Sequence, residues 1–259
     1  MIYPHNTAPE RAVTRLGKRV RNPDMRRMCV VALAHRVHPD WPLILIGNRD
    51  EFHARAAAPL HEWDDGSGIV AGRDLQAGGT WLGVHRPSGR TVVVTNVRGA
   101  MPDPAKESRG ALVVDTLRGD GRFADPAAED LPRFNAFNLF AVDGGAARLL
   151  TNRPVPLIMP LEPGVHALAN EPVDASCPRA ERLRLALETL VAAGADPAGL
   201  LDTLMAADDP ALFLRGDVYG TRASTLVAIS ADGNVRMIER RYEKGGRPAG
   251  TTALEFHIG

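Results

Sequence analysis

The stretch that decides the fold is "RRMCVVALAHRVHPDWPLILIGNRDEF", Arg26 to Phe52. Residues 29–37 and 42–48 are two short apolar runs rich in β-branched side chains. Between them His38-Pro39-Asp40-Trp41 has turn chemistry, so the segment reads as a β-hairpin. The second run stops on Asn48-Arg49-Asp50-Glu51. Charge arriving this abruptly at a strand end marks the rim of a sheet, where functional groups collect. At the start of the hairpin, Met28 stands directly before Cys29. Cys29 is either an ordinary residue of a buried strand or the first residue, and the nucleophile, of an enzyme.

Outward from the hairpin, "GIVAGRD" and "GTWLGVHRPSGRTVVVTN" continue the strand pattern, with Pro87-Ser88-Gly89 turning between strands over residues 80–85 and 91–96. "SRGALVVDTLRG" reads as a helix, with Ser108 as N-cap and Gly119 past its end. Residues 125–135 suit a second short helix. Strands resume over 137–143 and 146–152 across Gly144-Gly145, and "GVHALAN" follows. Residues 178–194, with a proline near the start and a glycine at the end, read as a helix, as do 196–207. "STLVAIS" and "NVRMIERRY" make a last hairpin around Ala231-Asp232-Gly233-Asn234. Strands, helix, strands, helices, strands, joined mostly by hairpins, predict an α+β protein of antiparallel sheets with helices layered outside. No repeat and no boundary interrupts residues 28–259, which read as one domain.

A chain of 259 residues has ample length to bury a core. Its 44% hydrophobic and 24% charged content is ordinary for a soluble globular protein. A formal net charge of zero gives no broad electrostatic case for nucleic acid or an anionic membrane, and no apolar run approaches a membrane span. Cys29 and Cys177 are the only cysteines. They make neither a disulfide framework nor a CxxC zinc knuckle, and they fit a cytoplasmic location. The first 27 residues differ: seven Lys/Arg against two acids, no hydrophobic period and no apolar h-region of a secretory signal. They read as a disordered basic tail, a propeptide, or translated sequence upstream of a start at Met28. The third is the expectation, because ordered patterning begins at residue 28.

Cys29, the Asn48-Arg49-Asp50 cluster, Asn96, Asn152 and Arg222 share one habit, each lying at or just beyond a strand end. Singly, each has an ordinary structural explanation: asparagine and aspartate suit turns, and a lone cysteine before an apolar strand is usually core. Together they suggest a chemistry. Once Met28 is removed, Cys29 carries a thiol that titrates near ~8.5 and an α-amine near ~8, so one residue holds nucleophile and base. Asp50 is placed to orient the ammonium form, and Arg222 or Arg49 to favour the thiolate. The amides of Asn96 and Asn152 are candidate oxyanion donors, an effect of about 3–4 kcal/mol per donor in a protease.

"MCVVAL…LILIGNRDEF…GGTWLGV…TVVVTN…YGTRASTLVAI" resembles the NRDE family, named for the tetrad that here runs from Asn48 to Glu51. The family includes the transport and Golgi organisation protein 2 homologues, and the resemblance extends from Met28 nearly to the C-terminus. It is similar to the N-terminal-nucleophile (Ntn) hydrolases with a leading cysteine, the penicillin V acylase and bile-salt hydrolase group. The resemblance implies a four-layer αββα sandwich of two antiparallel sheets. It also implies catalytic roles for Cys29, Asp50, Asn96, Asn152 and Arg222, with Asn48, Arg49 and Trp81 as substrate-binding candidates. One departure stands out: the hydrolases have an arginine three residues before the aspartate, where this chain has Gly47.

The implied activity is hydrolysis of a non-peptide carbon–nitrogen bond in a small-molecule amide, with no cofactor or metal required. The same resemblance implies an alternative, a carrier of haem or an acyl ligand without turnover, because family members are associated with haem trafficking and acyl-CoA homeostasis. No haem ligand stands out among the eight histidines, and there is no Cys-x-x-Cys-His motif. His35-x-x-His38 reads as a chance pair, His166 as a packed strand residue and Cys177 as a structural or exposed thiol. Trp81 either fills core or walls a pocket, with core the stronger expectation.

Overall fold

The computed structural model describes residues 29–99 and 101–259. The basic stretch read as an extension lies outside the described residues. In chain order the first strands are β1 (Val30–His35), β2 (Leu43–Phe52), β3 (Ala57–Glu62), β4 (Ile69–Asp74), β5 (Leu82–His85) and β6 (Arg90–Asn96). Helix α1 (Arg109–Arg118) precedes β7 (Phe137–Asp143), β8 (Ala146–Thr151), β9 (Leu157–Leu161) and β10 (Gly164–Leu168). Helices α2 (Pro178–Ala193) and α3 (Leu200–Thr203) lead to β11 (Tyr219–Ile229), β12 (Asn234–Tyr242) and β13 (Pro248–His257).

The strands form two antiparallel sheets, one of six in the order β10-β1-β2-β11-β12-β13 and one of seven running β3 to β9 in sequence. Leu33, Leu45, Val93, Phe140, Val227 and Met237 fill the space between the sheets. Val92, Leu112, Leu117, Phe137 and Leu139 join the seven-stranded sheet to α1. Val30, Ile44, Ile46, Leu183, Leu187 and Leu226 join the six-stranded sheet to α2 and α3. Three apolar seams therefore separate four layers, helix–sheet–sheet–helix, as expected from the sequence.

The Arg26–Phe52 hairpin forms as read, with His35 opposite Leu43 and Val30 opposite Asn48. One boundary changes. β2 does not stop at Asn48 but continues through the tetrad to Phe52, because β11 pairs with it as far as Tyr219 opposite Phe52. Helix α1 has the expected caps: the Ser108 hydroxyl accepts from the Ala111 N–H, and Gly119 adopts φ 72°. The helix expected over residues 125–135 is a single 3-10 turn, Leu131–Arg133, since Pro126 and Pro132 withhold backbone donors. The helix expected over 196–207 shortens to a 3-10 turn and the four residues of α3. There the Ala206 carbonyl turns to accept the N–H groups of Leu212 and Phe213. Strands β3 and β13 make no apolar run, and β9, though apolar, is mostly exposed and interrupted by Pro160, so none of the three has the pattern of a buried strand.

Candidate active site

Successive side chains on a strand take opposite faces, and β2 sorts its polar end by this rule. Leu43 and Leu45 belong to the core between the sheets, Ile44 and Ile46 to the core under the helices. Arg49 and Glu51 continue the first face and line a cleft of about 1270 Å³. Asn48 and Asp50 continue the second, with side chains bonded into the helical layer.

Cys29 takes the cleft side by the same parity, since Val31 and Leu33 belong to the inter-sheet core. It is buried, and its thiol donates to the Asp50 carbonyl at 3.8 Å. Burial, followed by the negative charge of Asp50, pushes this thiol up to about 12, against a downward pull from Arg49. With residues preceding Cys29, the thiol is therefore neutral at physiological pH.

Asp50 is enclosed. Thr221 Oγ1 donates to its Oδ1 at 2.6 Å, Arg179 Nη2 to its Oδ2 at 2.9 Å, and the Tyr219 hydroxyl to its carbonyl at 2.9 Å. Burial raises the Asp50 carboxyl, and Arg179 and the Thr221 hydroxyl pull it back down. Arg179, in the first turn of α2, also donates to the carbonyls of Ala211 and Leu212. A β-bulge makes this geometry. Thr221 opposes Asp50 and Ala223 opposes Arg49, leaving Arg222 as the extra residue and turning Thr221 to the helical face.

Two candidates are corrected by their bonding. Asn48 is fully buried, donating to the carbonyls of Leu204 and Leu212 at 2.9 and 2.8 Å and accepting from Ser224 Oγ at 2.6 Å. It clamps the post-α3 loop and cannot bind substrate. Asn152 spends both amide hydrogens on the carbonyls of Leu131 and Phe134, and its Oδ1 accepts from the Phe137 N–H. It has no donor left for an oxyanion and does not line the cleft.

The others meet at the cleft. Asn96 ends β6 there, half-buried, and its side-chain amide has no hydrogen-bond partner among the described residues. Trp81 satisfies both readings, walling the cleft while packing on the inter-sheet core and on the α1 core. Arg222 lines the cleft, but its Nη1 donates to the carbonyls of Phe52, His53 and Arg55 at 3.1, 3.2 and 2.9 Å. It fixes the chain leaving β2, whereas Arg49 pulls the Cys29 thiol down. Arg49 pairs with Glu51 and Asp74 at 3.6 Å each, and Arg55 with the same two carboxylates at 3.8 and 2.6 Å. Among the described residues no group of three or more His, Cys, Asp or Glu is arranged to hold a metal ion, and no helix is long and apolar enough to cross a membrane.

A family model described as Transport and Golgi organisation 2 matches residues 28–244. The chain belongs to that family. The mouse Transport and Golgi organization 2 homolog is 28% identical over 256 residues, covering 82% of this chain and 92% of that protein. The Bos taurus homolog is 27% identical over 276 residues, covering 89% and 99%. Among solved structures, a Caenorhabditis elegans N-acylethanolamine-hydrolyzing acid amidase ortholog matches with a TM-score of 0.51 at 11% identity, covering 87% of this chain and 100% of that one. The fold is thus shared with the Ntn hydrolases.

In this Transport and Golgi organisation 2 family member, three site residues went unnoticed in the sequence. Arg179 is the first. At Gly47, where the hydrolases carry arginine, a Cβ would lie 2.5 Å from Val31 Cγ1 and 2.7 Å from the Val30 carbonyl oxygen. No side chain fits there; the Asp50 carboxylate meets its cation on the opposite face of β2, from Arg179 of α2. The second is Asn170. β10 pairs with β1 as far as Leu168 opposite Val31, and Asn170 follows two residues beyond that end. Asn170 Nδ2 donates to the Asn96 carbonyl at 2.7 Å, while its buried Oδ1 has no partner. Its signal was available: an asparagine ending "GVHALAN" shares the strand-end habit that marked Asn96.

The third is Arg109, in the first turn of α1 and lining the cleft. A Cβ on Gly79 would lie 2.5 Å from the Gly110 carbonyl carbon. Backbone-to-backbone contact between "GGTW" and "SRG" therefore sets Arg109 at the cleft wall. Burial lowers its pKa, and the nearby Cys29 and Glu51 oppose that shift.

Proposed function

We propose that the protein is an amidohydrolase in which Cys29, once it is the first residue, attacks the carbonyl of a small-molecule amide. The observation that carries this reading is the placement of Cys29. It lies on the cleft face at the start of β1, in a cleft that Asn96 also lines with an unpartnered amide. The Ntn-hydrolase fold supports it, and the worm neighbour at 11% identity supplies fold alone.

In the proposed cycle, the free α-amine of Cys29 takes the thiol proton as sulfur bonds to the carbonyl carbon. The Asn96 amide donates to the oxyanion. The ammonium passes its proton to the leaving nitrogen, the carbon–nitrogen bond breaks, and a thioester remains. Water then attacks the thioester, giving one proton to the amine, which returns it to the departing sulfur. Asn170 Oδ1, buried without a partner just beyond the end of β10 that pairs with β1, is the acceptor assigned to the ammonium. The field of Asp50 favours that ammonium, and Arg49 favours the thiolate. With residues before Cys29 there is no α-amine to act as base, and the thiol stays neutral.

The test compares three proteins on a panel of N-acyl amides that includes an N-acylethanolamine, the class in the worm neighbour's name. They are a chain starting at Cys29, the full chain with its intact mass recorded, and the Cys29→Ala variant. Hydrolysis by the first and background rates from the third are expected. Equal hydrolysis by Cys29→Ala and by chains retaining residues 1–28 would overturn the reading.

The carrier reading, haem or an acyl ligand held without turnover, keeps one observation in its favour. The cleft, at about 1270 Å³, exceeds the roughly 300–1,000 Å³ of common ligand pockets. Spectroscopic titration with haem separates the two. Saturable binding that survives Cys29→Ala, with no hydrolysis of any amide, favours the carrier.

A further inference from the structure

We infer that the cleft selects a substrate bearing a second, anionic group, a carboxylate in the simplest case, and that Arg109 is the residue that binds it. This rests on the amidohydrolase reading. The argument begins with the charges at the cleft. Arg49 and Arg55 share Glu51 and Asp74, so these four cancel. Arg222 spends its guanidinium on three backbone carbonyls. Lys106 and Lys244 also line the cleft without an ion pair among the described residues, but both are exposed, whereas Arg109 is partly buried. It makes no ion pair among the described residues, and its one hydrogen bond there runs from Nη1 to the Ala136 carbonyl at 3.0 Å.

A guanidinium offers five donors in a planar fork. Partly burying one without a direct ion pair carries a desolvation cost, which Glu51 nearby offsets only in part and a ligand anion in contact offsets further. The single hydrogen bond also aims the group. The Ala136 carbonyl accepts from the Val97 N–H as well, and Phe137 is paired with Asn96. Arg109 is thereby anchored beside the end of β6, where Asn96 presents its free amide to the same cleft. The fork matches the flat oxygens of a carboxylate, and the Asn96 amide beside it is kept for the oxyanion of the same substrate. The Gly79–Gly110 contact holds the first turn of α1 in place, so the subsite is preformed.

The probes are glutaranilic acid and valeranilide, two anilides of equal acyl length of which only the first carries a terminal carboxylate. Calorimetric binding to the Cys29→Ala chain is expected to favour glutaranilic acid at least about tenfold. Arg109→Gln is expected to erase that preference, and Arg109→Lys, which keeps the charge, to retain part of it. A thermal melt of each variant reports folding. Equal binding of the two anilides, binding of neither, or a preference that survives Arg109→Gln overturns the inference. Turnover is read separately with the chain starting at Cys29. Charge-selective binding without hydrolysis sinks the amidohydrolase reading and leaves the anion subsite standing. Hydrolysis of both anilides at equal rates does the reverse.

Discussion

The two faces of one tetrad differ more than their shared motif suggests. Asn48 and Asp50 face the helices, fully or nearly fully buried, with every polar side-chain atom bonded. Arg49 and Glu51, one residue away in each case, face the cleft in looser pairs of 3.6–3.8 Å. The lesson is that an NRDE signature is two devices interleaved by strand parity: one fastens a helical layer, the other lines a site. The sharpest break of this comparison is Asp50→Ala, which leaves the Arg179 guanidinium buried without its carboxylate. A loss of about 3–5 kcal/mol in urea denaturation is expected, with part of it recovered in Asp50→Ala/Arg179→Met. Next comes Asn48→Ala. It strands two carbonyls and the Ser224 hydroxyl, and should cost about 2–3 kcal/mol in the same assay.

Cys29 sharpens the comparison through pH. Its folded thiol is pushed up to about 12, above the ~8.5 of an unfolded cysteine. A raised pKa gives stability that is fully present below the unfolded value and is lost as pH rises towards the folded one. In the full chain, stability should therefore fall from about pH 9 upwards by about 1.4 kcal/mol per pH unit more than in Cys29→Ser. Denaturation curves of both proteins at pH 8 and pH 10.5 measure this. Parallel loss in the two proteins would mean that the thiol is not desolvated.

These contrasts also explain what was legible in the sequence. The hairpin at residues 29–48, the capped helix at 108–119 and the strands at 137–143 and 234–242 were readable because each is a buried run with turn chemistry at its ends. Edge strands β9 and β13 lack such runs. Strand ends selected Cys29, Arg49 and Asn96, which line one cleft, but they equally selected Asn152, whose amide serves backbone carbonyls. A sequence shows where a polar residue stands along a strand. Which acceptors surround it is set by loops that pack from afar, as Leu204 and Leu212 do around Asn48. Arg179 and Arg109 were hidden for a related reason. Each looks like an ordinary charge in the first turn of a helix, and only layer packing brings it to Asp50 or to the cleft.

The smallest stability effect is expected on the cleft face. Arg49→Gln removes a cation whose two partners are each shared with Arg55, and Arg55 keeps the shorter contact, 2.6 Å to Asp74. The loss should stay under about 1 kcal/mol, as for other partly exposed pairs in a network. The chemistry should respond more than the fold. Arg49 is the cation that pulls the Cys29 thiol down against burial and Asp50, so its removal raises that thiol further. Iodoacetamide labelling of Cys29 above pH 10, followed by mass spectrometry, should slow in Arg49→Gln while the thermal melt hardly moves. If Arg49→Gln instead unfolded the protein as readily as Asp50→Ala, the division of the tetrad into a fastening face and a working face would fail. Arg49 would then belong with Asn48 and Asp50 as part of the scaffold.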